Sequence, residues 1–217
     1  MIRKILICAV MIAAMLIVGC GEEKIMGTPD KAILAYAEIA MTGESENLSA
    51  AGFSDDDKNE IRQAVANNFV ASLADVAPLS DASAQELVQI YFDKLRGNVA
   101  FKTTLKSEGS QPIVELTTTP IDQSASAKSA SKNDELIALL GMVGKLKSDG
   151  VTEEQLKASP DVQKLAVTAL SKYIAVISFQ PEKTFEITCQ KVTGTDGNAH
   201  WAPTDGKNLI DLLTGQK

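Results

Sequence analysis

Val99-Ala-Phe-Lys-Thr-Thr-Leu-Lys-Ser-Glu-Gly-Ser-Gln-Pro-Ile-Val-Glu-Leu-Thr-Thr-Thr119 is where the periodicity of the chain changes. Val99, Phe101, Thr103 and Leu105 alternate with Ala100, Lys102 and Thr104, the period of two of a half-buried strand. Glu108-Gly109-Ser110 reads as a turn, and Ile113 to Thr119 as a second strand rich in β-branched residues. Together they predict an antiparallel hairpin.

Upstream of this hairpin the apolar period is near four. Thr28-Pro29 gives an N-cap followed by proline at the first helical position, and Ile33, Tyr36, Ala37 and Ala40 form a stripe that Gly43 ends. A second helix opens at Ser54, with Asp55, Asp56 and Asp57 in its first turn complementing the free N–H groups there. Ile61, Val65, Phe69 and Leu73 step by four along its face. The three acids resemble a metal cluster only superficially. Consecutive helix positions fan around the axis, so capping is the role expected of them. A third helix is predicted from the capping-box pattern Ser83-Ala-Gln-Glu86, with Leu87, Val88, Tyr91, Phe92 and Leu95 inward and Gly97 at its end.

Downstream, Asp122 to Asn133 is rich in Ser, Ala and Lys and reads as a mobile loop. Helices are expected over Leu136 to Leu146, in a short turn after Thr152-Glu-Glu-Gln155, and from Ser159-Pro160 to about Pro181. Phe185, Ile187 and Cys189 alternate with Glu186, Thr188 and Gln190 as a third strand. Gly194 to Asn198 is a hairpin turn, His200-Trp-Ala202 a short fourth strand, and a last helix runs around Leu209 to Leu213. The order predicts an α+β fold: an antiparallel four-stranded curved sheet packed by several helices, with a helical insertion between the two hairpins.

The first twenty residues carry a different message. Arg3 and Lys4 precede an uncharged apolar run from Ile5 to Val18, which ends in Leu16-Ile-Val-Gly-Cys20. Fourteen helical residues span ~21 Å, short of the ~30 Å hydrocarbon core, which suits a cleaved export signal better than a membrane span. The ending resembles the bacterial lipobox, in which a cysteine thiol takes a diacylglyceryl group and becomes the first mature residue. The expected organisation is a signal over residues 1–19, a lipidated tether over 20–28 and one domain over 29–217. Two or more acyl chains at Cys20 would anchor the chain stably to the membrane. That places it outside the cytoplasm, on the outer face of the plasma membrane or on an outer membrane.

Removing residues 1–19, which hold Arg3 and Lys4 and no acid, takes the formal charge from −7 to −9. An acidic surface argues against nucleic acid as a partner, because phosphates need Lys and Arg. Cys8 leaves with the signal and Cys20 is lipidated, so Cys189 has no partner for an intramolecular disulfide. Its strand position predicts a small buried core residue.

The layout is similar to small bacterial lipoproteins of the NTF2-like and cystatin-like type, within a family of unknown function. The resemblance rests on Leu16 to Cys20, on Thr28-Pro-Asp-Lys-Ala-Ile-Leu-Ala-Tyr36 and on Asn198-Ala-His-Trp-Ala-Pro203 before a terminal helix. It implies a fold and an address, and no activity. The long helical segment from about Asn133 to Gln180 departs from that plan.

Chemistry is sparse. His200 is the only histidine and stands beside Trp201, the only tryptophan. No G-x-S-x-G elbow, Walker A loop or G-x-G-x-x-G occurs, and one histidine cannot build a His-rich zinc site. No cofactor and no metal is expected. His200, Trp201, Tyr36, Tyr91 and Phe92 are the candidates to line a pocket. The leading expectation is a non-enzymatic binding domain that takes a partner protein or a small apolar ligand in the concavity of the sheet. The alternatives are a carboxylate-based envelope hydrolase, needing two converging acids, and a structural accessory subunit of an envelope complex.

Overall fold

The computed structural model describes residues 25–74, 76–194 and 196–216. The signal, the lipobox and Cys20 lie outside these. Strand β1 (Ile25–Met26) precedes helix α1 (Pro29–Thr42), which starts at Pro29 and closes at Gly43. The Gly43 N–H donates to the Ile39 carbonyl at 2.9 Å, with φ at 77°. Ala32, Ile33, Ala35, Ala37, Ile39, Ala40 and Met41 are all buried. A helix apolar all round is a core helix, and four of these seven are alanines, small enough to be enclosed on every side. The sequence showed only one stripe of it.

Helix α2 (Leu48–Ala51) leads into α3 (Asp55–Ala74), and α4 (Asp81–Arg96) follows. Ser54 and Asp57 cap each other's backbone: the Ser54 N–H donates to Asp57 Oδ2 at 2.8 Å, and the Asp57 N–H to Ser54 Oγ at 3.1 Å. Helix α4 begins earlier than the Ser83 pattern suggested. Ser80 is its cap, and its hydroxyl accepts from the Ser83 N–H at 3.2 Å.

The hairpin is formed by β2 (Phe101–Ser107) and β3 (Ile113–Thr118). The expected loop after it is ordered instead, as β4 (Ile121–Asp122) and α5 (Gln123–Ala130). Two hydrogen bonds explain the difference. Asp122 Oδ1 accepts from the Ala125 N–H at 2.8 Å and caps α5, and the buried Ser126 hydroxyl accepts from the Ser178 N–H at 3.0 Å. Helices α6 (Asp134–Ser148), α7 (Glu153–Ala158) and α8 (Pro160–Ala175) complete the insertion. Helix α8 stops at Ala175, before Pro181, because β5 (Ser178–Phe179) pairs with β4. Gln163 fastens the insertion to the body: its side chain accepts from the Ser80 N–H at 2.8 Å and donates to the Pro78 carbonyl at 2.9 Å.

Strands β6 (Lys183–Thr193) and β7 (Ala199–Pro203) make the second hairpin, and α9 (Gly206–Leu213) ends the fold. The sheet order is β1-β7-β6-β3-β2. It is mixed and five-stranded among the described residues, which corrects the four-stranded antiparallel expectation: β1, from the stretch read as tether, runs parallel to β7. A two-residue strand has no periodicity to read. Strand β6 pairs with β3 over Lys183 to Thr188 and with β7 over Cys189 to Thr193, and this handover curls the sheet. Val114, Leu116, Ile187 and Cys189 are buried on its inner side. Helix α1 packs across β2, β3 and β7 and fills the concavity.

Candidate functional site

Two recesses are lined by residues that the sequence offered as pocket candidates. The first is a cavity of about 280 Å³. Its walls come from α3 (Val65, Phe69, Leu73), α4 (Tyr91), α6 (Leu136), α8 (Leu170, Tyr173) and α9 (Ile210), with Ile121 of β4 beside them. Polar groups gather at Asn68, Gln123, Ser126, Asp211 and Thr214. Phe69 stacks on Tyr91 with ring centroids 4.2 Å apart and planes 16° apart. Burial drives the Tyr91 phenol above its ordinary value, and the nearby Tyr173 adds to the effect. Gln123 Nε2 donates to the Thr214 carbonyl at 2.6 Å, holding α5 against the end of α9. This is a space left between core stripes, lined by groups that donate and accept hydrogen bonds.

The second is an open groove of about 490 Å³ between the start of α3 and the β6–β7 hairpin. Tyr36, Phe53, Asp57, Glu60, Gln190 and His200 line it, and none of its lining residues is a lysine or arginine. Asp57 Oδ2 also accepts from the Ser54 hydroxyl at 2.7 Å. His200 is only 3% exposed. Its ring meets Phe53 edge to face, with centroids 4.6 Å apart, and its Nδ1 is buried with no hydrogen-bond partner. Burial holds the imidazole below its ordinary value, against the pull of the Asp57 and Asp196 carboxylates. Burial, with the charges of Glu60 and Asp205, pushes the Tyr36 phenol up to about 12. Gly206 lies directly against the Tyr36 hydroxyl, so no side chain there would fit without displacing it.

The five aromatic candidates thus separate. Tyr36 and His200 share the groove, and Tyr91 lines the cavity. Phe92 and Trp201 line neither. Phe92 is fully buried, with the Arg62 guanidinium 5.4 Å over its ring. Trp201 packs between the main core and a smaller cluster of Ala32, Ala35, Ala51 and Phe53. Asp57, Glu60 and Phe53 were not singled out as site residues. The Ser54-x-x-Asp57 spacing signals a cap, and nothing in it signals that the capped turn docks on β7. Cys189 is buried as expected, and burial pushes its thiol up to about 12. Among the described residues no three His, Cys, Asp or Glu side chains converge as a metal site, and no helix is long and apolar enough to cross a membrane.

No protein-family model matches the chain, and no curated protein matches it either. A solved structure does: that of a candidate lipoprotein, ycdA, from Bacillus subtilis. The two agree with a TM-score of 0.55 at 16% sequence identity, over 86% of this chain and 56% of that one. The chain therefore spans little more than half the length of that protein. The likeness is one of fold. It supports a lipoprotein-like α+β architecture and lends nothing to the NTF2-like or cystatin-like resemblance.

Proposed function

We propose that this chain is a lipid-anchored protein of the cell envelope whose folded domain is a non-enzymatic binding module, taking a small, mostly apolar ligand into the helix-lined cavity. The address rests on Arg3-Lys4, the short apolar run and the Leu16 to Cys20 ending, and the shared fold with a candidate lipoprotein is in keeping with it. The binding role rests on one observation: a cavity of about 280 Å³ with aliphatic and aromatic walls and polar side chains beside them. That lies near the lower end of the ~300–1,000 Å³ of small-molecule sites and shares their character of apolar walls with a few orienting polar groups. Carboxylate-based hydrolysis fits less well. Of the two acids that share the groove, Asp57 spends Oδ2 on two Ser54 donors, whereas hydrolysis needs two carboxyl groups turned toward the substrate.

The test is extraction. Protein purified from its native envelope, denatured in organic solvent and examined by mass spectrometry, is expected to release a small apolar molecule. A Leu73→Trp variant, which puts an indole into the cavity, is expected to release none while keeping its circular dichroism spectrum. Equal release from both forms, or none from either, refutes the cavity reading. The anchor is tested separately. Cys20→Ser is expected to abolish metabolic palmitate labelling, and unchanged labelling in that variant refutes it.

A further inference from the structure

Taking the cavity as a binding site, the reading on which this step rests, we infer that its ligand is uncharged, apolar over most of its surface, and carries a hydrogen-bond acceptor, such as a carbonyl oxygen, that seats on the Tyr91 hydroxyl. Charge, free protons and size each point there. None of the described residues lining the cavity is a lysine, arginine or histidine. Their single acid, Asp211, is paired with Lys207 at 2.7 Å. A carboxylate or phosphate drawn inside would lose its water and meet no counter-charge, and an unpaired buried ion is costly. An ammonium group would find one carboxylate, already engaged. The exposed lining residues are Asn68, Ser72, Gln123 and Gln216, all polar and all uncharged, so the solvent side of the cavity favours no ion either.

Three buried hydroxyls line the space, those of Tyr91, Ser126 and Thr214. Thr214 spends its proton on the Ile210 carbonyl at 2.8 Å. Ser126 accepts from the Ser178 N–H at 3.0 Å, which leaves its own proton without an acceptor among the described residues. The Tyr91 hydroxyl has no hydrogen-bond partner among the described residues. Nor is it one of the unpartnered polar atoms there that are sealed from any probe, which belong to Thr118, Thr119 and His200. It therefore opens on accessible space, and the space that Tyr91 lines is this cavity. The stack on Phe69 fixes its ring. Burial raises the phenol, so it keeps its proton and donates at neutral pH. A ligand that brings an acceptor matches these free protons, and a hydrocarbon does not. At the ~30 Å³ that a water molecule takes in the liquid, 280 Å³ holds roughly nine non-hydrogen atoms.

Three probes of matched shape separate the possibilities: acetophenone carries a carbonyl, isopropylbenzene no polar atom, and benzoate a carboxylate. The full chain in phosphatidylglycerol nanodiscs, labelled at isoleucine methyls, is titrated with each by NMR, and the signals of Ile121 and Ile210 report on the cavity they line. Both neutral probes are expected to move these signals and saturate, and benzoate to leave them still. Tyr91→Phe keeps the ring and removes the hydroxyl. It is expected to weaken acetophenone about fivefold, the worth of one neutral hydrogen bond, and to leave isopropylbenzene unchanged. Comparing parent with variant for each probe cancels the partitioning of that probe into lipid. Saturation by benzoate, or a Tyr91→Phe effect equal for the two neutral probes, would overturn the inference and leave the cavity reading standing. So would a fatty acid or a bare hydrocarbon as the molecule released on extraction. Signals that neither neutral probe moves up to its solubility, or that both move equally in Leu73→Trp, would overturn the inference and the cavity reading together.

Discussion

The cavity and the groove are built from different material. The cavity's walls are the core itself: Leu73, Leu170 and Ile210 are buried residues of the main cluster that also face the empty space. The groove's walls are attachments to the core edge. Asp57 is held by Ser54, His200 by Phe53 and its strand pairing with Met26, and Glu60 stands exposed. A recess inside the core is bound to stability, because its lining is what keeps the helices together. A recess at the edge is free to carry charge and unpaired polar atoms, because less depends on it.

That difference has a direct measure. Leu170→Ala removes a side chain 1% exposed from the cavity wall and is expected to cost ~2–5 kcal/mol in chemical denaturation, the range for deleting a buried leucine. Glu60→Gln, on the groove wall, is expected to stay within ~0.5 kcal/mol, as surface changes do. Similar losses in the two variants would erase the contrast.

Gly52→Ala is the next largest effect. Gly52 has φ of +84°, and a Cβ there would stand 2.6 Å from the Met26 Cβ and 3.1 Å from the His200 Cβ. A left-handed backbone and a collision against β1 together predict a loss of more than ~1 kcal/mol. Because the collision presses on the groove floor, the His200 imidazole signal is expected to shift in this variant and to stay put in Leu170→Ala. A His200 signal that moves equally in both would mean that the two recesses are mechanically one.

The elements of the fold were legible where the chain repeats itself. The hairpin from Phe101 to Thr118, the helices opening at Pro29, Asp55 and Pro160, and the alternation through Cys189 all follow from periods of two and near four and from caps. Three two-residue strands, β1, β4 and β5, were invisible because two residues have no period. Helix α5 was hidden by its polar Ser-Ala-Lys composition, although Asp122 three residues before Ala125 was a cap in plain view. Tyr36 and His200 could be picked by residue type, but their meeting depends on α1, α3 and β7 converging. The cavity needs six helices and β4 at once, and each of its apolar residues, taken alone, reads as ordinary core.

A smaller effect follows from pH. The unfolded chain takes up a proton on His200 near pH 6.5, while the folded chain, in which burial disfavours the imidazolium, takes it up at lower pH. Below about 6.5 the unfolded state therefore binds more protons, and stability falls as the solution is acidified through that window. The groups facing the ring are Asp57 and Asp196, which soften the fall, and Phe53, which does not titrate. His200→Gln is expected to flatten the pH dependence of the denaturation midpoint between pH 5 and 7, after allowance for the carboxylates that titrate below it. A steeper dependence in the variant would mean that the carboxylates, and not burial, dominate at the ring. In the cavity, Tyr91 and Tyr173 have phenols raised by burial, so substitutions there are expected to leave the same window unchanged.

The smallest expected effect lies on the far side of the sheet and serves as the control. Glu115 and Glu186 stand directly opposite each other on β3 and β6, a like-charge pair that weakens a strand pairing. Lys106 lies between them, its Nζ 2.9 Å from Glu115 and 3.4 Å from Glu186. Lys106→Gln leaves the two carboxylates facing each other, so the melting temperature is expected to drop slightly in dilute buffer. All three side chains are solvated, and a salt concentration that shortens the Debye length to ~3 Å should remove most of the difference. Neither the extraction yield from the cavity nor the His200 imidazole signal should change, because the triad touches neither recess. A persistent drop at high salt would mean that Lys106 works by packing its alkyl stem across the strands, and that the outer face contributes to the fold as the cavity wall does.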